Sequence, residues 1–433
     1  MNMVLPPVLR GLRRRGVHRS PILWVIVLAC LVEVTFHVSR YRVPVPAREL
    51  DAPFYSSCQD PAAAADAPRE NAAIVMLARN SEVEQAARSV RSLEQRFNRW
   101  FHYPIVFLND EPWSDEFVTT LNATASGPTS FEIVPKEAWT FPAWLDEDAA
   151  RASIKSQGDA GILYAGKETY HHMCRFFSGA FYTIEALRKY RWYWRLEPDV
   201  EFSCALTYDP FAEMARHQKV YGFTISLWEE KRTCPSLFRQ VADWKEEQNI
   251  PSTPLWKASV DASWAPWPLR GLLAWFSHRD RHGDGWNLCH YWSNFEIADL
   301  DFFRGAQYQD LYQKLERSGG FYFERWGDAA VHSLAVNMLA QPHQVHHFAD
   351  IGYRHDWYYQ CPANAPGAAQ LPESAALHEA QPAWAPEVPG GVGCRCDCDG
   401  RTNRNHAAYC LHKMKAPNTA SRPWSAWLLA FIF

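Results

Sequence analysis

The chain has 433 residues, 47% of them hydrophobic, and a formal net charge of -4. This composition allows a large buried core, arranged as one large domain or two moderate ones. Lysine and arginine are spread thinly after the N-terminus, so the sequence lacks the basic surface that nucleic-acid-binding proteins present, and that class is excluded.

An arginine-rich start followed by an apolar run predicts a membrane anchor. Residues 1–20 contain five arginines, and the run Pro21–Val38 follows without a small-residue cleavage pattern after it. We therefore expect residues 1–20 in the cytosol, 21–38 in the membrane and the rest in the lumen; a cleaved signal peptide is the alternative. The run is short, at about 18 residues, and contains Glu33, which a thin early-secretory membrane tolerates.

A luminal location predicts disulfide bonds. Ten of the eleven cysteines follow the anchor, on the oxidising side of the membrane. Four of them cluster near the end, Cys394, Cys396, Cys398 and Cys410, where a zinc knuckle is the rival interpretation. Their C-x-C-x-C spacing favours disulfides, but the sequence assigns no partners.

Composition divides the luminal part into segments. Residues 39–70 are rich in Ala and Pro and predict a stem, whereas 71–362 carry the periodic patterns of a folded domain. Residues 363–393, rich in Ala, Pro and Glu, predict a flexible connector to a Cys-rich tail at 394–433. The apolar end of that tail, Trp424–Phe433, is too short to span a bilayer as a helix.

The folded domain begins with a predicted β-α-β unit. Ala72–Ala78 (AAIVMLA) predicts a buried strand, Ser81 and Glu84 predict a capping box that opens a helix, and Pro104–Asn109 predicts a second strand. A helix between two strands indicates a right-handed crossover and a parallel sheet, so the fold class is α/β.

Polar residues follow three predicted strands. Arg79 follows the first strand and Asn109 ends the second, at the edge where a nucleotide binds in an open α/β sheet. After the strand Trp192–Leu196 come Glu197 and Asp199, with a proline between them. A carboxylate pair at a strand end suits a hard divalent cation such as Mn²⁺ or Mg²⁺. Taken alone, an E-P-D sequence is more often a solvated turn.

Two further residues are candidates for chemistry. His332 lies four residues after Asp328 on a predicted helix face and would complete an oxygen-rich manganese site, with a core or capping histidine as the alternative. Glu296, in the apolar motif SNFEIADLDFF, is either an acid with a shifted pKa or a strand acid satisfied by its neighbours. The remaining predicted elements are helices at Phe176–Tyr190, Gln307–Arg317 and Ala329–Ala340, and a strand at Val220–Leu227.

Five longer phrases of the sequence resemble a known family. They are YHHMCRFFSGAFY from Tyr170, YWRLEPDVEFSC from Tyr193, NLCHYWSNFEIADLDFFR from Asn287, ERWGDAAVHSLAV from Glu324 and IGYRHDWYYQCP from Ile351. Together with LARNSEV and FLNDEPW they resemble the fungal Golgi α-1,2-mannosyltransferases of the Kre2/Mnt1 type. The resemblance covers most of residues 71–362, in a fixed order.

This resemblance implies a type II Golgi membrane enzyme with a GT-A-type nucleotide-sugar transferase fold. Such a fold has a central mixed, mostly parallel sheet flanked by helices, here preceded by one transmembrane helix. The implied reaction transfers mannose from GDP-mannose, with Mn²⁺, to the 2-hydroxyl of a mannose acceptor on protein O- or N-linked mannan, with retention of configuration.

Site residues follow from the resemblance by position. Glu197 and His332 would hold Mn²⁺, Glu296 would be the nucleophile, and Tyr170 would lie at the acceptor and sugar site. Retention needs either a covalent mannosyl-enzyme on Glu296 or a same-face route in which Glu296 only stabilises positive charge. The predicted contacts to GDP-mannose are Arg79, Asn109, Arg175 and Asp199.

One segment departs from the family pattern. Thr253–Trp286 is rich in tryptophan and precedes the Asn287 phrase, so the identity of the acceptor is left open. Two alternatives stay beside the mannosyltransferase: a retaining transferase of the same fold with another nucleotide sugar, and a catalytically inactive Golgi partner protein.

Overall fold

The structure is a computed structural model that describes residues 21–41, 52–263, 265–366, 385–398 and 408–415. Its helices are α1 Pro21–Tyr41, α2 Pro61–Ala65, α3 Val83–Leu93, α4 Arg99–Phe101, α5 Asp115–Thr124, α6 Glu147–Asp159, α7 Glu168–Ser178, α8 Pro210–Arg216, α9 Leu237–Glu247, α10 Pro254–Ser259, α11 Trp267–Leu273, α12 Leu300–Arg304, α13 Ala306–Arg317, α14 Gly320–Phe323, α15 Asp328–Leu339 and α16 Ala408–Lys415. Its strands are β1 Ala72–Leu77, β2 Ile105–Asn109, β3 Thr129–Ile133, β4 Trp192–Arg195, β5 Val200–Phe202, β6 Tyr221–Phe223, β7 Ser226–Trp228, β8 Val260–Asp261, β9 Gly285–Trp286, β10 Cys289–Tyr291, β11 Glu296–Asp299, β12 Val345–His347, β13 Tyr353–His355 and β14 Tyr358–Gln360.

A seven-stranded sheet forms the centre of the domain, in the order β12-β6-β11-β4-β1-β2-β3. The predicted β-α-β unit is confirmed, because β1 and β2 pair in parallel with Ile74 opposite Ile105. Strand β11 runs antiparallel to both of its neighbours, while the other pairings are parallel. The sheet is therefore the predicted mixed, mostly parallel one.

Helices cover both faces of this sheet. Alternation along β1 turns Ile74 toward the core with α3 and α5, and turns Val75 toward the core with α7, α13 and α15. Because both faces are buried, the central strands consist of almost continuous apolar residues. Polar side chains are left to the strand ends, where the site lies.

The start of α3 differs from the prediction. The capping box predicted at Ser81 and Glu84 is wrong, since a 3-10 turn from Asn80 to Glu82 precedes the helix. The Glu82 carboxylate instead accepts the backbone N–H of Arg79 at 2.8 Å. Glu82, two residues before Glu84, therefore takes the capping role.

Two other predicted elements have different bounds. The helix predicted at Phe176–Tyr190 ends at Ser178 and continues as short 3-10 turns. The chain bends at Gly179, where the ring of Tyr312 takes the space of a Cβ, 2.0 Å from its ideal position. The strand predicted at Val220–Leu227 divides into β6 and β7, because β7 leaves the main sheet and pairs with β10.

Disulfides attach the Cys-rich tail to the folded domain. The four bonds are Cys58–Cys394, Cys204–Cys396, Cys361–Cys398 and Cys289–Cys410. The expectation of disulfides is confirmed, and these bonds consume the thiolates that a zinc knuckle would need. Each bond spans a long stretch of chain, so each restricts the unfolded state strongly.

The boundaries predicted for the stem, connector and tail fall partly outside the described residues. Residues 1–20, 42–51, 264, 367–384, 399–407 and 416–433 are not described. The two ends of the predicted connector hydrogen-bond to each other, with Val392 N–H donating to the Ala363 carbonyl at 3.0 Å.

Among the described residues, α1 is the helix long and apolar enough to cross a membrane, by length and composition. Together with the disulfides, it indicates a membrane-anchored protein of the secretory pathway.

Candidate active site

The E-P-D sequence forms the turn between β4 and β5 at one end of the sheet. Arg195, the last residue of β4, donates from Nε to Glu197 Oε1 at 2.7 Å and from Nη1 to Asp328 Oδ2 at 2.6 Å. Burial would raise the pKa of Asp328, but the charge of Arg195 outweighs it and lowers this pKa to about 2. Burial raises the pKa of Glu197 to about 7, although Arg195 opposes the rise. Glu197 therefore has less charge compensation than Asp328.

A histidine that the sequence prediction left without a role faces this turn. Strand β13 pairs antiparallel with β5, with His355 opposite Val200. The Nε2 atom of His355 lies 3.0 Å from Oδ1 of Asp199, whose side chain is 53% exposed. Burial lowers the pKa of His355, so a neutral imidazole with a free lone pair is favoured. The signal in the sequence is the His-Asp pair of IGYRHDWYYQCP.

Glu296 begins β11 and is fully buried below this turn. Its Oε1 accepts the Tyr193 hydroxyl at 2.8 Å, and its Oε2 accepts the Tyr221 hydroxyl at 2.8 Å and Nδ1–H of His332 at 3.2 Å. Arg195 is its partner across the β4–β11 ladder. The sequence left open whether this acid is satisfied by neighbours, and the structure surrounds it with donors.

His332 lies on α15 with both ring nitrogens engaged. Nδ1 faces the Glu296 carboxylate, and Nε2 lies 3.0 Å from the Phe177 carbonyl and 2.7 Å from the Tyr182 hydroxyl. Burial opposes a charge on this ring, but Glu296 outweighs it and raises the pKa of His332. An imidazolium that donates from both nitrogens has no lone pair for a cation. Both ring nitrogens thus have partners in this structure, and the manganese role of His332 stays a prediction.

Tyr170 lies on α7, and its side chain is half-buried. Its ring is 5.0 Å from the ring of Tyr164, and the Arg325 guanidinium lies 5.5 Å from its centroid. Burial raises the pKa of Tyr170 well above its usual range. The hydroxyl is thus a neutral hydrogen-bonding group.

The residues predicted to bind the nucleotide fall into two groups. Arg79 lies two residues after β1 and Asn109 is the last residue of β2, so both lie at the carboxyl ends of adjacent parallel strands. Asn109 is buried, and its Nδ2 has no hydrogen-bond partner among the described residues. Arg175 instead donates to Glu316 from Nε at 2.8 Å and to the Thr140 carbonyl from Nη1 at 2.9 Å.

One buried polar residue was missed by the sequence prediction. Asn294, in the SNFEI motif, is 8% exposed, and both polar atoms of its amide have no hydrogen-bond partner among the described residues. Buried amides are rarely left unpaired, so such a group is a candidate ligand contact. The neighbouring Ser293 donates to Asp328 Oδ2 at 2.7 Å.

Across the described residues, no group of three or more His, Cys, Asp or Glu side chains stands ready as a metal cluster. Glu197 and Asp199 in the turn nevertheless supply hard oxygen ligands, and His355 on β13 supplies an imidazole beside Asp199. These are donor types that Mn²⁺ accepts. Sites of this kind take several ligands from substrate phosphates.

Solved structures with the same fold define the class of protein. The mannosyltransferase Ktr4p from Saccharomyces cerevisiae in complex with GDP superposes with a TM-score of 0.67 at 30% identity, covering 91% of this chain and 92% of that one. Core-mannan synthase A from Aspergillus fumigatus, in a Mn/GDP form, gives a TM-score of 0.62 at 36% identity, with 76% and 84% covered. The fold is that of a glycosyltransferase, and the predicted fold class is confirmed.

Sequence comparison defines the family. The profile of the glycolipid 2-alpha-mannosyltransferase family matches residues 48–366. The O-glycoside alpha-1,2-mannosyltransferase homolog 4 of Schizosaccharomyces pombe is 44% identical over 314 residues, 68% of this chain and 71% of that protein. The chain belongs to the glycolipid 2-alpha-mannosyltransferase family, as the resemblance implied.

Proposed function

We propose that the chain transfers mannose from GDP-mannose to the 2-hydroxyl of a mannose acceptor, with retention of configuration. The observation that carries the proposal is the E-P-D turn with His355, set beside Arg79 and Asn109 at one edge of the sheet. Relatives solved with GDP, and with Mn and GDP, support the nucleotide and the cation.

In this proposal Glu197, Asp199 and His355 hold Mn²⁺. When bound, the cation neutralises the negative charge that the departing diphosphate develops. Glu197 suits this task because its carboxylate is partly compensated by Arg195 and gains from a further positive charge. The Arg195 side chain also fixes the orientation of Glu197, since Asp328 holds its other arm.

Arg79 and Asn109 contact the nucleotide in this proposal. The Arg79 side chain is 71% exposed at the strand edge and is held by Glu82 at 2.6 Å. The Nδ2 of Asn109, which has no hydrogen-bond partner among the described residues, is a donor for a nucleotide oxygen. The contacts of Arg175 and Asp199 with GDP-mannose stay predictions. In this proposal Asp199 binds the cation, and Arg175 holds α7 to its neighbours through Glu316 and the Thr140 carbonyl.

Glu296 acts in this proposal through its charge. Retention by a covalent route requires a carboxylate oxygen with access to the anomeric carbon, whereas Glu296 is fully buried and its two oxygens accept three hydrogen bonds. A buried anion beneath the sugar stabilises an oxocarbenium-like transition state without bond formation. The same-face route is therefore favoured, with Tyr170 contributing its hydroxyl to the sugar and acceptor site.

The acceptor and the compartment belong to the same proposal. We infer a mannosylated glycoprotein or mannan as acceptor, because the relative from S. pombe is described as an O-glycoside enzyme. The chain would be a single-pass type II protein of the Golgi membrane, with α1 as its anchor and the folded domain in the lumen.

The test is transfer by the full chain, purified in detergent, with separate nucleotide sugars and a mannoside acceptor. NMR of the product reports donor, linkage and anomeric configuration together. We expect an α-1,2-linked mannose from GDP-mannose only. Transfer from another nucleotide sugar would show that the chain is a transferase of the same fold with a different donor. Binding of GDP with no transfer from any donor would favour the inactive partner protein.

A further inference from the structure

The Trp-rich segment that departs from the family pattern exposes an apolar face. Four side chains on α11 and the turn after it are exposed, Leu269, Leu272, Trp275 and Phe276, and Trp275 is 89% exposed. Leu269, Leu272 and Phe276 are spaced i, i+3 and i+7, which places them on one side of a helical path. Large apolar side chains grouped in this way mark a surface that binds a membrane or another protein.

This face has a fixed position on the folded domain. The ends of the segment pair as β8 and β9, with Val260 opposite Trp286. Between them, the Ser263 N–H donates to Asp284 Oδ1 at 3.0 Å, and the Arg239 guanidinium donates to the Ala274 carbonyl. The loop is therefore closed at its base and tied to α9 near its tip.

Arg270, in the middle of α11, connects the face to the apolar helix α1. Its guanidinium donates to the Glu33 carboxylate and lies 2.8 Å from Nδ1 of His37. It also lies 5.0 Å from the ring centroid of Phe36. Glu33, Phe36 and His37 share one face of α1 by their spacing. Arg270 is only 4% exposed, so the contact is well covered.

These contacts place α11 near the luminal end of the membrane span. Glu33 precedes Val38, where the apolar span ends, by roughly 8 Å along a helix axis. A carboxylate within a membrane span is costly unless it is paired, and Arg270 supplies the pair. Tryptophan is enriched at this level, between hydrocarbon and headgroups.

We propose that the face formed by Leu269, Leu272, Trp275 and Phe276 binds the luminal surface of the lipid bilayer beside the anchor. The folded domain is then held against the membrane through α11. The inference rests on the proposed function only in its orientation, with α1 as the anchor and the domain in the lumen. The bilayer is favoured as the occupant because the face is continuous with a helix that itself enters lipid.

The test measures the depth of a fluorescent label on the full chain in phosphatidylcholine vesicles. Cys30, the exposed free cysteine of the anchor, is first replaced by alanine; the free thiols of Cys174 and Cys234 are buried. NBD is then attached at Leu269→Cys, and lipids with a doxyl group near the headgroup act as the quencher. Leu163→Cys is the matched control, because Leu163 is 53% exposed and Leu269 is 52% exposed. We expect several-fold stronger quenching at Leu269.

A label at Val27→Cys, inside the apolar span, separates this inference from the proposed anchor. If the Val27 label is quenched by deep doxyl lipids but the Leu269 label matches the Leu163 label, the membrane face is overturned and the anchor stands. If neither label is quenched, both the membrane face and the proposed anchor are overturned. If the Leu269 label is shielded from water without lipid quenching, a protein covers the face and the inference is overturned.

A second variant tests whether the contact between Arg270 and Glu33 holds the apolar face at the membrane surface. Glu33→Gln removes the charged partner of Arg270 without altering the folded domain. Quenching of the Leu269 label is expected to fall in this variant while the Val27 label is unchanged. Unchanged quenching at Leu269 would overturn the part of the inference that rests on Arg270.

Discussion

Two carboxylates at one end of the sheet, Glu296 and Glu197, have opposite surroundings. Glu296 is fully buried and accepts hydrogen bonds from Tyr193, Tyr221 and His332. Glu197 accepts only from Arg195 among the hydrogen bonds recorded for the described residues, and burial raises its pKa to about 7. The first is a preorganised anion, and the second has capacity for a cation. In the proposed function, Glu296 supplies charge beneath the sugar and Glu197 binds the cation beside the diphosphate.

Removing the buried charge is expected to have the largest effect. Glu296→Gln keeps the side-chain size but removes the anion that we propose lies beneath the reacting sugar, so kcat should fall by about 10³-fold, with Mn²⁺ dependence unchanged. Steady-state transfer assays measure this, and Glu201→Gln, a change of an exposed acid, is the control. Turnover near the parent level would show that Glu296 has no role in the reaction.

Removing the imidazole at the turn is expected to weaken cation binding. His355→Ala deletes a proposed Mn²⁺ ligand, so the concentration of Mn²⁺ for half-maximal activity should rise by about 10- to 100-fold. A Mn²⁺ titration of activity measures this, with exposed His343→Ala as the control. An unchanged Mn²⁺ titration would show that His355 is not a cation ligand. Glu197 would then lie at no cation site formed with His355, and its difference from Glu296 would have no functional meaning.

Changing His332 tests whether the charge at Glu296 and the cation at Glu197 act separately. His332→Gln retains one donor toward Glu296 but removes the positive charge, so kcat should fall by roughly tenfold while the Mn²⁺ titration stays the same. The parent and His355→Ala are titrated beside it. If His332→Gln shifts the titration as His355→Ala is expected to, the ligand role predicted for His332 from the sequence is right.

The smallest effect on turnover is expected at a third buried carboxylate, Asp350, whose removal should change stability. Asp350 accepts a hydrogen bond from the Tyr208 hydroxyl at 2.7 Å. Burial raises the pKa of Asp350 to about 6, so its contribution to stability is present below pH 4 and lost as pH rises through 6. Asp350→Asn should remove a penalty of about 3 kcal/mol at pH 7. Thermal unfolding at pH 4 and pH 7 measures the difference from the parent.

Exposed Asp301→Asn is the control for that comparison. The free energy of unfolding of Asp350→Asn relative to the parent should increase between pH 4 and pH 7, whereas Asp301→Asn should follow the parent. If the free energy of unfolding of Asp350→Asn changes with pH as that of the parent does, the pKa of Asp350 is not raised in the folded state. The hydrogen bond from Tyr208 then compensates for the burial of this carboxylate.

Local patterns predicted much of the fold. The nearly continuous apolar content of β1, β2 and β4 predicted those strands, because a strand buried on both faces needs apolar side chains on both. The prediction failed at Phe176–Tyr190, where the helix ends at Ser178 and the ring of the distant Tyr312 packs against Gly179. It also failed at Val220–Leu227, because apolar content does not say which sheet a strand joins.

The site was predicted as a set of residues more fully than as an arrangement. Glu197, Asp199, Glu296 and His332 all lie at one end of the sheet, but His332 contacts Glu296, and His355 takes the place beside the E-P-D turn. Spacing along a helix predicts which residues share a face. It carries no information on which distant strand brings a histidine opposite that face.

The sequence by itself determined the class of fold, the disulfide-bonded state, the apolar helix and the family, because each depends on composition, periodicity or contiguous phrases. Only the tertiary structure decided the disulfide partners, the pairing of β13 with β5, and the contact of Arg270 with α1. Those features join residues far apart in the chain, and the free energy of such contacts depends on packing that no local pattern encodes.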